Sequence, residues 1–550
     1  MKNKKITVKD ETREERAARL FSVARTAKSV TDDYWRKMRA YYEGRHDTAR
    51  QTGDFLSAID LPWSPASLPD AYMHVESQID SHIPDFEFSG RGKDDGVFAG
   101  AREKVVRYVC DINDMETKNA VNERRLGLYG SAVWKLSVGI GETGDAEIAV
   151  ENPSPDCIFT DPSATSTDEC EYIIYTYKIS MMKAKRLFAE DLRRENTTLE
   201  DIVSESNRAG GVFAPDRTSD DCELVDITEF WFRQPQDGTC ISAGADGKNY
   251  VYSYKAGDIA LSILVCGREL RYIPKFWENS GCRKYPIVIY NRIPREGSVW
   301  GRSEIEQIIP LIDAADRQLA FAQLNTAFSA SDIIVCEENA FAPDCYPESR
   351  PGAVWKLRPG MTGKVNRLGG MTGDGGHYEI VDRYRSLMKE ALGNYDFMLG
   401  DSATKVTTAT GLALLSDFAG KRVNAKNSCK KAGFSRLYRL IDCLALEIYG
   451  KEKLISIGAY DEGMPCDGID YINTYGYVPD IDIRIHVGDA LEYSRSFAIS
   501  ALKSLMEAEI TKENYPVVRE YIRAIELPEC AALVEALDTL YKNDVEENEK

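Results

Sequence analysis

The chain has 550 residues, roughly three to four ordinary domains, so a single core is excluded. Hydrophobic residues make up 43% and charged residues 29%, which excludes a wholly disordered chain and a collagen-like fibre. With 69 Lys+Arg against 88 Asp+Glu the net charge is −19. Any contact with nucleic acid must therefore be local, or must work through repulsion.

Other classes fall away on simple patterns. The longest apolar run, residues 259–266, is far short of the ~20 needed to span a bilayer, so no membrane partner is expected. The first twenty residues are charged throughout and lack the apolar stretch of a signal peptide. The 13 cysteines include no C-x-x-C pair, and the expectation is reduced thiols in a cytoplasm. His46, His74, His82, His377 and His486 form neither H-x-x-x-H nor H-E-x-x-H, so no metal, cofactor or catalytic residue is expected.

In chain order, residues 11–45 predict two helices. Ala17, Leu20, Phe21 and Ala24 mark the first and Trp35, Met38 and Tyr42 the second, which ends at Gly44. Helices are expected over 69–82 and 98–128. The period then changes to two, with strands at 132–136 and 147–150 across a Gly-rich turn. A turn-dense stretch over 152–162 precedes a strand at 172–177 and a helix over 180–195. Residues 196–220 are polar and predict an exposed loop, and strands resume at 225–231, 259–265 and 286–290.

The second half reads differently. Ser303, Glu304, Ile305 and Glu306 have the spacing of a capping box. A helix is expected from there to about 328, bent by the internal Pro310, with a short strand at 333–335 after it. Residues 343–376 hold eight Gly and four Pro, which predicts a turn-and-strand insertion with its best strand at 354–357. A helix over 377–398 follows. Residues 400–410 are small and polar, 411–449 predict one very long helix, 480–487 a strand, and 494–540 further helices. Between Lys421 and Arg439 the long helix carries seven basic residues and no acid.

This order resembles the portal protein of tailed bacteriophages. The resemblance rests on Tyr41-Tyr42-Glu43-Gly44 and on Leu128-Tyr129-Gly130-Ser131-Ala132-Val133-Trp134-Lys135. Asn152-Pro153 with Asp161-Pro162 follows, then Tyr285-Pro286-Ile287-Val288, then Trp300-Gly301-Arg302-Ser303-Glu304-Ile305-Glu306 running on to Leu311-Ile312-Asp313. It implies an α+β portal fold with an α/β wing at 1–302, stem helices at 303–328 and 377–398, and a clip at 329–376. A tunnel loop at 399–410, a long helix and wing return at 411–490, and a short helical crown at 491–550 complete it. Pro310 and the glycine content of the clip depart from the family pattern.

The resemblance further implies a homo-oligomeric ring, usually of twelve subunits, at one capsid vertex, assembled in the host cytoplasm. Double-stranded DNA passes through it without sequence specificity, during packaging and ejection. The terminase large subunit and later a head-completion adaptor dock on the clip, and major capsid and scaffolding proteins surround the ring. A portal hydrolyses nothing, and the chain has no G-x-x-x-x-G-K-[ST] loop; Gly360 to Lys364 is too short an imitation.

Candidate residues follow by region. Thr404, Lys405, Thr407 and Thr408 would line the channel. Lys421, Arg422, Lys426, Lys430 and Lys431 would face DNA or a neighbouring subunit, or instead pair with acids of this chain. Ile305, Ile308, Ile312, Leu319, Tyr384 and Leu387 would pack the stem, partly between subunits. Trp355, Lys356, Arg358, Lys364 and Arg367 would serve clip docking. Trp300 and Trp355 read as buried anchors, and Glu304/Glu306 and Asp313/Asp316 as solvated acids or intersubunit ion pairs. Two other classes are compatible with the residues: a non-channel scaffold, and a carboxylate-based hydrolase with a deep pocket.

Overall fold

A computed structural model of the protein describes residues 11–45, 69–91, 96–141, 144–209, 224–243, 249–330, 333–343, 345, 355–368, 376–392, 409–459 and 481–486. The chain divides into two compact units. One is Met1–Met38, Val75–Glu304 and Lys405–Lys550; the other is Arg39–His74 and Ile305–Thr404.

Helix α1 (Arg13–Tyr42) is one continuous rod of 30 residues rather than two helices. Ala17, Phe21, Ala24, Lys28, Trp35 and Met38 keep the three-and-four spacing of a single buried stripe. The charge at position 28 interrupts the apolar pattern, yet that lysine is buried. Its Nζ donates to the carbonyls of Pro155 and Asp156 at 2.7 and 2.8 Å. Its stem lies in the apolar layer, as long cationic side chains allow. Past the helix, Gly44 takes φ +67° and the Arg45 N–H reaches the Ala40 carbonyl at 2.8 Å, the glycine-closed terminus that was expected.

Helix α2 (Asp70–Ser77) is shorter than expected and is followed by β1 (Asp85–Gly90). The helix expected over 98–128 is two, α3 (Gly96–Ile112) and α4 (Met115–Tyr129). The break falls at Asn113 and Asp114, the latter at φ +48°. Asn113 is spent on the neighbouring strand, donating to the Ile148 carbonyl and accepting from the Val150 N–H, both at 2.8 Å. Strands β2 (Ser131–Ile140) and β3 (Ala146–Glu151) form the expected hairpin.

Then come β4 (Ile158–Thr160), β5 (Tyr172–Ser180) and two short helices, α5 (Met181–Leu187) and α6 (Ala189–Arg194), where one was expected. Helix α7 (Leu199–Ala209) occupies what read as a loop. Thr198 caps it, accepting from the Asp201 N–H at 3.3 Å and donating to the Asp201 carboxylate at 2.6 Å, while Leu199 and Ile202 are buried. Strands β6 (Leu224–Arg233), β7 (Gly238–Ala243), β8 (Asn249–Tyr254), β9 (Ile259–Val265), β10 (Arg268–Ile273) and β11 (Ile287–Asn291) complete this stretch.

The strands make an antiparallel sheet in the order β10-β9-β6-β5-β4, a second in the order β11-β2-β3, and a β7-β8 hairpin. Helix α1 lies on the five-stranded sheet, with Phe21 and Ala24 packed among Phe159, Ile174, Phe230 and Leu264.

In the other unit, α8 (Ile309–Ala330) is followed by β12 (Ile333–Cys336), β13 (Val365–Leu368) and α9 (Gly376–Leu392). Pro310 is the second residue of α8, in the first turn, where its missing N–H would be unpaired in any case, and not inside the helix as expected. The strand partner of 333–336 is 365–368, not 354–357. Leu357 makes only an isolated bridge with Phe341.

Back in the first unit, α10 (Ala409–Ile448) is a single helix of 40 residues, followed by α11 (Lys451–Ser456) and by β14 (Ile481–His486), which pairs with β1. Phe434 packs edge-on to Trp134 at 5.8 Å, and a Cβ on Gly433 would stand 2.7 Å from the Tyr290 ring. That glycine lets α10 close onto β11. The expected tunnel-loop residues 399–408 and the helices expected over 494–540 lie outside the described residues.

Candidate functional site

Of the stretches that carried the resemblance, residues 128–135, 285–288 and 300–304, far apart in sequence, meet in the first unit. The turn from α4 into β2 depends on Gly130 at φ +78°, where a Cβ would fall 2.2 Å from the Arg302 backbone. Only glycine fits both demands. Around it, the Arg292 N–H donates to the Gly130 carbonyl at 3.0 Å, and the Gly301 N–H to Ser131 Oγ at 2.8 Å. Ser303 Oγ donates to the Gly127 carbonyl at 3.0 Å. Residues 305–307 form a 3-10 turn, and α8 starts at Ile309. Trp300 is a buried anchor, edge-on to Trp35 at 5.1 Å. The Trp35 Nε1 donates to the Tyr129 carbonyl at 3.1 Å.

Beside this junction lies a buried charge network. Arg292 pairs with Glu123 and, at 3.4 Å, with Glu304. Lys426 of α10 pairs with Glu304 at 2.7 Å, and Lys430 with Asp80 at 2.9 Å and Glu123 at 3.5 Å. Lys430 also donates to the His82 carbonyl at 2.7 Å. Burial by itself would lower the Arg292 pKa. The carboxylates of Glu123 and Glu304 outweigh it and hold the guanidinium above its ordinary value.

Of the alternatives open for the basic run, Lys426 and Lys430 take the one in which they pair with acids of the same chain, and Glu304 is buried rather than solvated. Arg292, Glu123 and Asp80 were not singled out from sequence. Nothing local distinguishes them, because their partners lie tens to hundreds of residues away. Lys431, next on the helix, is exposed. Lys421 and Arg422 lie on α10, but their side chains fall outside the described residues.

The second unit contains an antiparallel helical hairpin with a β head. Helices α8 and α9 pack together, with Ala315, Ala320, Val381 and Met388 buried and His377 Nδ1 3.0 Å from Gln318 Oε1. Of the expected packing residues, Ile305, Ile308 and Ile312 are buried, whereas Leu319, Tyr384 and Leu387 are half-buried. The Asp313/Asp316 pair is not solvated: Asp316 is buried, and Tyr41 OH donates to Asp313 at 2.7 Å.

Between the helices, β12 and β13 form a two-stranded ladder, and Lys364 pairs with Glu337 across its end at 2.5 Å. Trp355 is half-buried, edge-on to Phe341 at 6.0 Å. Lys356 and Arg358 are exposed, and Arg367 sits opposite Ile334 in the ladder.

Among the described residues no group of three or more His, Cys, Asp or Glu could hold a metal ion, and no helix is long and apolar enough to cross a membrane. The arrangement is one of interlocked loops, buried ion pairs and a helical hairpin with an exposed basic edge. No curated protein matches the chain. The family model described as phage P22-like portal protein matches residues 70–409. That span holds the α4–β2 turn, the Trp300–Glu306 loop and the whole helical hairpin; the Tyr41–Gly44 stretch precedes it. With well over half of its length matched, the chain belongs to the P22-like portal protein family, structural components of the tailed-phage virion that serve DNA packaging.

Proposed function

We propose that this portal protein closes into a ring of about twelve subunits at one vertex of the capsid and that double-stranded DNA enters and leaves through its centre. The observation that carries the reading is the α8–β12–β13–α9 hairpin, two packed helices bearing a small β head, set immediately before a 40-residue helix. A helical hairpin has little core of its own, and neighbouring copies around a ring would cover its outer faces. Residues 303–328 and 377–398 are the stem in this reading and 329–376 the clip. The terminase large subunit and then a head-completion adaptor dock on the clip through Trp355, Lys356, Arg358, Lys364 and Arg367. Residues 1–302 and 411–490 supply the wing and long helix, and 491–550 the crown, with capsid and scaffolding proteins around them.

Physical reasoning supports a channel that does not grip. Each phosphate neutralised by a fixed cation releases counterions and deepens a well that would stall the duplex. A chain of net charge −19 repels DNA and lets it slide. The cations then left to guide it are Lys405, between Thr404 and Thr407-Thr408 in the tunnel loop, and Lys421, Arg422 and the exposed Lys431 on α10. The inward pairing of Lys426 and Lys430 supports restricting the guiding role to these.

Native mass across protein and salt concentrations tests the ring. Species near twelve times 61.7 kDa, or a neighbouring multiple, are expected; a strict monomer, even with scaffolding protein present, would overturn it. K405E should reduce packaged DNA while leaving the ring intact, and normal packaging would remove Lys405 from the guiding role. Deleting residues 342–376 should abolish motor and adaptor docking and spare the wing; docking that persisted would refute the clip assignment.

A further inference from the structure

Helix α5 presents two unlike faces. The inner one belongs to the core: Ala184 and, just past the helix, Phe188 pack with Ile202, Ile227 and Val265. The outer one is Met182, Lys183, Arg186 and Leu187, where 182 with 186 and 183 with 187 are one turn apart. Met182 is 83% exposed and Leu187 48%. Leu224, 42% exposed, extends the apolar part, because it pairs with Ser180 at the start of the helix. Single exposed apolar side chains are ordinary, but three large ones around one short helix mark a contact surface.

The charges on this surface are unequal. Acids nearby are already matched: Glu200 by Lys185, Asp191 by Arg271 at 2.5 Å, and Glu195 by Arg268 at 3.2 Å. The side chains of Lys183, Arg186 and Arg193 make no ion pair or hydrogen bond among the described residues. In a chain of net charge −19, this is a cationic and apolar face without its complement.

The complement is present in the sequence. Residues 529–549 hold seven acids and one lysine, with Leu533, Leu537 and Leu540 four and three apart. They join large apolar side chains to excess negative charge, the inverse of the α5 face. Their attachment favours them over a free partner. The 42 residues from 487 to 528 can reach up to about 140 Å, and a tethered segment binds at an effective concentration set by its linker.

We infer that the outer face of α5 is the docking site for residues 529–549 of the same chain, the leucines meeting Met182, Leu187 and Leu224 and the carboxylates meeting Lys183 and Arg186. The contact ties the end of the chain to the five-stranded sheet, since β5 leads directly into α5. Being part ionic and part apolar, it weakens with salt without vanishing.

Carbodiimide coupling of the full chain, which joins a lysine amine to a carboxylate in contact with it, tests the site when the linked peptides are mapped by mass spectrometry. The expected result is Lys183 linked to an acid within 529–549. Co-expressing K183E with a chain that ends at Pro528 puts the lysine and the acids on different molecules, and no link is expected there. K183E/R186E should speed cleavage within 529–550 by a limiting protease about tenfold, with cleavage elsewhere unchanged. M182S/L187S should do the same with both charges in place. The inference is overturned if Lys183 links elsewhere or not at all, if the co-expressed pair yields the link, or if cleavage of the segment is indifferent to both double variants.

Discussion

Lys28 gives the sharpest test of the energetics, because a charge sits where the fold wants an apolar residue. Its ammonium is 4.4 Å from the Phe159 ring and 5.1 Å from that of Trp35, with Asp32 Oδ1 at 3.5 Å. Burial lowers its pKa from 10.5 to about 8, against the opposing pull of Asp32, Asp156 and Cys157. Between pH 8 and 10.5 the unfolded lysine therefore holds more protons than the folded one, and stability rises with pH through this window. Integrating the proton difference from pH 7 to pH 10 gives about 2.5 kcal/mol. K28M has no such group. In urea unfolding followed by tryptophan fluorescence at the two pH values, the wild type should gain about 2.5 kcal/mol relative to K28M. At pH 7 the variant trades this desolvation for two unpaired carbonyls, at about 1–3 kcal/mol each, so the absolute difference there is less informative than its slope. Parallel pH profiles for the two proteins would refute a charged lysine held in that core.

Three further outcomes follow from particular contacts. R292M removes the guanidinium from the buried carboxylates of Glu123 and Glu304, and should cost about 3 kcal/mol in chemical denaturation. G130A forces a side chain into a left-handed turn against the Arg302 backbone, and should lose at least about 2 kcal/mol or accumulate as insoluble protein on expression. M388A opens a cavity between the hairpin helices, and should cost about 2–4 kcal/mol by urea midpoint, with cleavage by a limiting protease appearing first within residues 305–404.

Local pattern was enough for much of this chain. The apolar spacing of 411–449, the alternation at 132–136 and 147–150, and the glycine after Tyr42 each specify an element through neighbours within a few residues, and those elements stand as expected. The linear order of motifs from Leu128 to Asp313 was likewise sufficient to point to the portal family, because their shared order carries the information. Elements failed where a side chain's partner was distant. Lys28 broke an apolar stripe on paper and completed it in space, since Pro155 and Asp156 supply carbonyls to its ammonium. Asn113 ended a helix because β3 needed its amide. The helix expected from Ser303 starts at Ile309 instead, which puts Pro310 in its first turn. The basic run on α10 was legible as charge, but only tertiary contact decided that Lys426 and Lys430 point to Glu304, Asp80 and Glu123. Periodicity reports which face of an element is apolar; whether a charge on it is buried, paired or open depends on groups that the chain brings back from far along its length.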